Sequence, residues 1–413
     1  MTKFKGFIFL ALLILGAALQ AADVRAEEIV IGYTGPLSGP AAEYGQDCLN
    51  GVEMAINEIN FKGGITVRGK NYMFRLERMD DRTKPQTAVN NALQMHKEFK
   101  TIAVFNPLFG SLAALMKVNQ DKKHQFLVMA YTSVPEISEM GNKLTITLIM
   151  PYTIYNKVFT NLAWNKGWRK GAIVVTAGAY GDEWRKAFRK EWEKKGGIIT
   201  VDKATNYYTR TDFAVPLAEA LATHPDFMLI GGPSSTTALI IEQARAKGFE
   251  GGFVLIDQAK LDAVYPVMEK PLGLEGSIGV AMVNSIPYSS TEKFKQNYVA
   301  PYKRNYTWES VANYTGMHAL AQAIVAAGTT TDVKAIRAAF PRVFPMLGDR
   351  YPMEVYGILP NGRLLSTPVV QTMKHGRFKA PNLYVWWTKS QKEFEKIQKT
   401  TKGGIPLTWF RLD

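Results

Sequence analysis

Two successive series in which short apolar strand-like runs alternate with segments of helical period constrain this chain more than any other feature. In the first series Ile29-Val30-Ile31, Tyr72 to Arg78, Ile102 to Phe105 and Phe126 to Ala130 have strand character. Helices are expected between them, with Leu49, Val52, Ile56 and Ile59 on one inward face, Ala88, Ala92, Leu93 and Phe99 on the next, which runs from Pro85 to Phe99, and Leu112, Leu115 and Val118 on a third. The same grammar starts afresh at Met150. It runs through a helix at Asn156 to Trp164, a strand at Ala172 to Val175, a helix at Gly181 to Lys195, a strand at Ile198 to Val201, a helix at Phe213 to Leu221, a strand at Phe227 to Ile230, a helix at Thr236 to Lys247 and a strand at Phe253 to Ile256. Strand and helix in alternation predict a parallel sheet covered on both faces, and two series predict two doubly wound, Rossmann-like lobes of an α/β chain. No residue-level repeat relates the two series, so the likeness is architectural.

Beyond Gly276 the pattern changes. A strand near Ile278 to Met282 precedes helices at Glu292 to Tyr302, Asn313 to Ala327 and Asp332 to Phe340; then Glu354 to Ile358 and Pro368 to Met373 flank Asn361-Gly362, a strong turn signal. The basic tail from Gln391 to Asp413 carries no motif with a functional reading. At 413 residues with 46% apolar content the chain can fill two cores. At its start, Lys3 and Lys5 precede an apolar run from Phe7 to Leu19, and Val24-Arg25-Ala26 presents small residues to a signal peptidase. That predicts a signal peptide over 1–26 with cleavage after Ala26, and a mature protein that is periplasmic or otherwise extracytoplasmic.

The lone cysteine, Cys48, excludes an intramolecular disulfide, and its place on a helical face with Val52 and Ile59 predicts a buried thiol. The formal net charge is +14; Lys3, Lys5 and Arg25 against Asp23 account for +2 of it, leaving about +12. Nucleic acid is excluded as a partner, because the export signal separates the two and the lysines are spread along the chain. No cofactor is expected: Gly231-Gly232-Pro233-Ser234-Ser235 lacks the Gly-Lys-Ser/Thr of a phosphate loop, and the five histidines show no metal-ligand spacing. Nor is there a serine elbow or Cys/His signature, so the chain is read as no enzyme.

The loop Thr34-Gly35-Pro36-Leu37-Ser38-Gly39-Pro40 joins the first strand to the first helix, and Tyr44 stands at the helix entrance. Loops leaving the carboxyl ends of strands are where open α/β sheets bind ligands, which makes Tyr44 a candidate pocket wall. The helix expected to begin at Gly110-Ser111 offers unpaired N–H groups and the positive end of a dipole, which suits a carboxylate; Ser111 alone could also be an ordinary cap.

The order and spacing of Gly35-Pro36-Leu37-Ser38-Gly39, Tyr44-Gly45, Asn57-Glu58-Ile59-Asn60, Gly63-Gly64-Ile65 and Asp80-Asp81 with Pro85 to Ala88 resemble the opening of the leucine/isoleucine/valine-binding protein family, and the resemblance extends to about Lys379. It implies the type I periplasmic-binding-protein fold: two doubly wound lobes joined by a three-crossover hinge, with 27–150 plus 282–353 in lobe 1, 151–281 plus 354–390 in lobe 2, and 391–413 as a tail. It implies a substrate-binding component of an ABC transporter, with an amino acid of the branched-chain or aromatic class as ligand and membrane permease subunits as partners. The family serine that holds the ligand carboxylate matches Phe109, Gly110 or Ser111. Tyr131 and Ser133 fall where the family grips ammonium and carboxylate, Tyr180 resembles its closing tyrosine, and Asp257 falls where many relatives pair an acid with the ligand ammonium. Pro233 stands where relatives often have an aromatic contact and Glu309 near a position often apolar, departures that point away from the usual aliphatic ligands. A cleft lined by Tyr44, Tyr131 and Tyr180 suits a flat side chain. The alternatives are an aromatic carboxylate or amide without an ammonium group, and a ligand-sensing subunit of a signalling system.

Overall fold

The structure is a computed structural model that describes residues 27–411; the expected signal segment and its cleavage point lie outside the described residues. β1 (Glu27–Gly35) is longer than its apolar triplet because it runs on through Tyr33 to Gly35, and α1 (Ala42–Phe61) follows the proline-stiffened loop. Then come β2 (Ile65–Val67), β3 (Lys70–Asp80), α2 (Pro85–Phe99), β4 (Ala103–Asn106), α3 (Phe109–Leu115), β5 (Leu127–Ala130), α4 (Glu136–Glu139) and β6 (Thr145–Thr147). Pro at the first position of α2 and a left-handed Lys100 at its end mark a helix bounded by its own sequence. These strands form a six-stranded sheet in the order β2-β3-β1-β4-β5-β6, parallel except at β2.

The second sheet is fed by α5 (Tyr152–Asn165), β7 (Lys170–Thr176), α6 (Ala179–Lys194), β8 (Ile198–Thr205), α7 (Ala214–Leu221), β9 (Phe227–Gly231), α8 (Ser234–Ala246), β10 (Gly252–Leu255), α9 (Leu261–Val264) and β11 (Ile278–Val280). Its parallel part runs β8-β7-β9-β10-β11. Ranked by chain order, the parallel strands of both sheets read 2-1-3-4-5, so each has a switch point where connections diverge to opposite faces: β1/β4 in one, β7/β9 in the other.

The chain then returns to the first lobe as α10 (Ser289–Tyr302), α11 (Trp308–Ala327) and α12 (Val333–Ala339). α11 packs along α1 at a close approach: a Cβ added to Gly51 would lie 2.2 Å from the Ser310 carbonyl oxygen. A capping box between Thr307 and Ser310 starts α11, and the Asp332 carboxylate caps α12 through the N–H groups of Lys334 and Ala335, each at 3.0 Å.

Two expected boundaries differ. The return to the second lobe was placed at 353/354, yet Thr147 pairs with Arg363, and Leu364 donates its N–H to the Thr147 carbonyl at 2.9 Å; the segment through 364 therefore lies on β6 of the first sheet. The physical reason is Arg363, buried with its guanidinium donating to the carbonyls of Ile149 (2.7 Å), Val134 (2.8 Å) and Thr132 (3.4 Å), which ties that segment to the first lobe and the hinge. Asn361-Gly362 does form a turn, but between Ile358 and Leu364, and the expected second arm is instead β12 (Val369–Lys374) of the second sheet. The tail is no appendage. After β13 (Arg377–Phe378) and β14 (Asn382–Val385), α13 (Gln391–Thr400) leads to β15 (Leu407–Trp409), which pairs in parallel with β14 and closes the sheet edge. Phe394 stacks on Trp409 at 5.8 Å between centroids, so the tail carries its own aromatic core contact.

Candidate functional site

Helices and loops that leave the carboxyl ends of the parallel strands converge on one cavity of about 550 Å³ between the sheets. The first lobe contributes Glu43, Tyr44 and Asp47 from α1, Leu108 and Phe109 beyond β4, Tyr131 to Val134 beyond β5, and the Arg304 to Glu309 turn before and into α11. The second contributes Tyr180 from α6, Pro233 at the start of α8, Asp257, Gln258 and Lys260 beyond β10, and Asp262 from α9.

Of the residues singled out from sequence, Tyr44, Phe109, Tyr131, Ser133, Tyr180, Pro233, Asp257 and Glu309 line this cavity, whereas Gly110 and Ser111 do not. α3 begins one to two residues earlier than expected, with Leu108 as its N-cap. That rotation puts Phe109 toward the cavity and leaves Gly110 exposed, while the Ser111 hydroxyl donates to buried Asp81 at 3.2 Å. Of the three positions, only Phe109 is a wall residue, and what it offers is a first-turn N–H rather than a hydroxyl.

Two of the cavity tyrosines, Tyr44 and Tyr180, are placed by one device used twice. A Cβ on Gly45 would lie 1.8 Å from the Pro36 carbonyl oxygen, and a Cβ on Gly181 would lie 1.8 Å from that of Thr176. Each glycine lets the first helix after a first strand sit against the backbone that leads into it, and each is preceded by a cavity tyrosine, Tyr44 or Tyr180. This is a residue-level echo between the lobes that no periodicity in the sequence reveals. Tyr44 and Tyr131 face each other with centroids 6.0 Å apart, and Tyr152 stacks on Trp184 at 5.3 Å beneath Tyr180.

Charge is arranged in pairs. Lys260 Nζ, from the second lobe, meets Glu309 Oε1, from the first, at 2.5 Å, and the Tyr131 hydroxyl donates to the same oxygen at 3.2 Å. Burial pushes the Glu309 carboxyl up, but the Lys260 ammonium prevails and holds it below the usual carboxylate range; the same pairing outweighs burial at Lys260 and raises its ammonium. Arg304 binds Asp47 at 3.0 Å and Glu43 at 3.2 Å. Burial still lifts Asp47 to about 7, against the pull of Arg304. Asp257 accepts hydrogen bonds from the Tyr180 hydroxyl and, at 2.8 Å, from Trp184 Nε1. Asp262 is lifted to about 8 by burial and by the charge of Glu309. Burial raises the hydroxyls of Tyr44, Tyr131 and Tyr180, which keeps all three as protonated donors.

Lys260, Arg304, Asp47, Asp262 and Trp184 were not legible as site residues. Lys260 carried one signal, its place three residues after Asp257 in the same strand-end loop; Arg304 and Asp47 reach the cavity only through packing of α10 and α11 on α1. Among the described residues no three of His, Cys, Asp and Glu come together as a metal site.

A profile of the periplasmic binding protein family matches residues 28–347, most of the chain, and the chain belongs to that family. It is 26% identical over 230 residues to a Leu/Ile/Val/Thr-binding protein of Salmonella typhimurium, a match that spans 55% of this chain and 61% of that relative. Among solved structures, a branched-chain amino acid transporter substrate binding protein of Streptococcus pneumoniae in complex with isoleucine shares the fold at TM-score 0.73 and 18% identity, covering 86% of this chain and 99% of that one. A solute binding protein of an ABC transporter from R. palustris, in complex with benzoate, does so at TM-score 0.72 and 16% identity, covering 85% and 95%. The fold is thus the type I periplasmic-binding-protein arrangement of two α/β lobes.

Proposed function

We propose that this chain is an extracytoplasmic solute-binding protein that captures a small amino-acid-like ligand between its lobes and delivers it to the permease subunits of an ABC importer. The observation that carries the reading is the enclosed setting of Asp257. Its hydrogen-bond donors, Tyr180 and Trp184, bring no positive charge, and it makes no salt bridge among the described residues, although it is only 6% exposed. A carboxylate so enclosed favours a ligand that brings its own cation, as the ammonium of an amino acid does. Across the cleft, the first-turn N–H of Phe109 and the hydroxyl of Ser133 suit the carboxylate of the same ligand, and Tyr44 with Tyr131 suits an apolar or flat portion.

Neither lobe alone surrounds such a ligand, so binding stabilises the closed arrangement over the open one, and closure is the signal a permease reads. Export rests on the basic-apolar leader, and no described helix is long and apolar enough to cross a membrane. The chemistry is capture without turnover. Isothermal titration of the mature protein against amino acids tests the reading, with Asp257→Asn expected to weaken an ammonium-bearing ligand by about 2 kcal/mol or more, roughly 30-fold.

A second reading, an aromatic carboxylate, is favoured by the facing Tyr44 and Tyr131 rings and by the benzoate-bound structural neighbour. It predicts that benzoate binds and that Asp257→Asn leaves its affinity intact.

A further inference from the structure

The cavity carries more carboxyl groups than cations, and pairing them off leaves a specific remainder. Glu43 and Asp47 are matched by Arg304, and Glu309 by Lys260. Among the described residues, Asp257 and Asp262 are then the two wall carboxyls without a salt-bridge partner. Asp257 has donors from Tyr180 and Trp184. Asp262 has none: both its oxygens are shut off from water without a hydrogen bond, as is Oε1 of neighbouring Gln258. The Val283 backbone N–H approaches Asp262 closely enough to draw its carboxyl down as a weak hydrogen bond would, but the contact falls short of full hydrogen-bond geometry.

Buried acceptors left without donors are rare, because each loses its hydration with nothing in return. Here there are three such atoms on two side chains of one wall. Glu309 and Asp47 of the first lobe and Lys260 of its own lobe all bear on Asp262, and both Asp262 and Gln258 line the cavity between the lobes, so a ligand entering an open cleft meets this wall before the lobes shut. The cavity of about 550 Å³ also has more room than a branched-chain amino acid of about nine heavy atoms fills, at roughly 30 Å³ for a water-sized group.

We propose that Gln258 and Asp262 form a second polar subsite, beside the Lys260–Glu309 pair, that receives the end of an amino-acid side chain bearing N–H donors, either an amide or a cation. The inference rests on the amino-acid reading above and narrows it: Asp257 takes the α-ammonium, and Asp262 with Gln258 takes the distal donors. A plain aliphatic side chain of the same length leaves those acceptors unpaired and is discriminated against for that reason, the asymmetry by which a hydrogen-bonding pocket rejects an analogue lacking the polar group.

The test is isothermal titration of the mature protein with glutamine, arginine, leucine and benzoate as probes. At least one of glutamine and arginine is expected to bind tenfold or more tighter than leucine, and which of the two does so distinguishes an amide-accepting from a cation-accepting subsite. Asp262→Ala should abolish that preference, weakening the favoured donor-bearing probe about tenfold or more and tightening leucine, whose unpaired acceptors are then gone; Asp262→Asn, which keeps shape and volume, covers the case in which the alanine variant fails to fold. Leucine binding as tightly as or more tightly than both donor-bearing probes, or a preference that survives in Asp262→Asn and Asp262→Ala alike, overturns the subsite and leaves the amino-acid reading standing. Binding of benzoate with none of the three amino acids overturns both.

Discussion

Asp262 and Asp47 are carboxyls that folding makes harder to ionise, and the consequence for stability has a definite sign. Their folded values, about 8 and about 7, stand above the ordinary carboxylate value near 4 of an unfolded chain. Between those limits the folded state binds more protons than the unfolded one, so their contribution is full at low pH and is lost as pH rises through the folded values. The ligand-free protein should therefore show a falling melting temperature from about pH 5 to pH 8.5 from this source, and Asp262→Asn should flatten the slope between pH 6.5 and 8.5. Thermal melts of both forms across that range, in one salt concentration, measure it; parallel slopes would remove Asp262 as a cause. Glu309 and Lys260 add nothing in this window, because their mutual pairing moves the acid down and the base up.

At the level of elements, the two Tyr-Gly corners and the tail make separate claims. Gly181→Ala forces a methyl carbon toward the Thr176 carbonyl, which must push α6 away from β7. We expect a loss of about 1–3 kcal/mol in stability from overpacking, accompanied by weaker ligand binding because Tyr180 and Trp184 move with the helix. Denaturant unfolding and titration together check this, and lost stability with unchanged affinity would argue that Tyr180 is not a ligand contact. The tail acts on Glu354, whose buried carboxylate accepts the Thr401 hydroxyl at 2.7 Å and the Lys402 N–H at 2.7 Å. Truncation after Lys389 removes both bonds, strips β15 from β14 and uncovers Tyr384, on which Phe410 packs edge-on; with hydrogen bonds to a charged group contributing about 1.5–3 kcal/mol each, a cost of roughly 3 kcal/mol or more is expected in urea unfolding. Cys48, on the core-facing side of α1, is fully buried, so its thiol should react with a maleimide only on unfolding.

For the whole molecule, the Lys260–Glu309 pair is the polar contact to watch, since its two ends belong to different lobes. A buried pair of this kind adds little net energy over an apolar pair of similar volume, but removing one member leaves an uncompensated charge, a cost of about 3–5 kcal/mol while it stays buried. Lys260→Met should relieve that cost by opening the cleft to let water reach Glu309, which reads as a larger radius of gyration in solution scattering of the ligand-free protein. The double variant Lys260→Met/Glu309→Leu should return it toward the wild-type value. Identical scattering from all three forms would show that the pair does not bias closure.

Much of this was legible beforehand, and the reason is local. α2 was read to the residue because Pro85 opens it, and the strands β4, β5, β7, β9 and β10 were located within a residue or two because runs buried on both faces are continuously apolar. Six of the eight cavity residues foreseen lie directly beyond such strand ends, where topology alone makes a crevice. What was misread was decided at a distance. β6 and β2, three residues each, take their strand form from pairing partners rather than from their own composition. Ser111 looked like a helix cap, but Asp81, thirty positions away, claims its hydroxyl. Residues 354–364 stay with the first lobe because buried Arg363 finds its carbonyl partners there, and 391–411 are no loose tail because Glu354 takes donors from Thr401 and Lys402 and β15 pairs with β14. The amino-acid order by itself determined two doubly wound lobes and the strand ends at which they meet, since periodicity and turn chemistry act over a few residues; the pairing of charges around the cavity, and with it which carboxyls remain to greet a ligand, was decided only when tertiary packing brought together residues as far apart in the chain as Lys260 and Glu309 or Arg304 and Glu43.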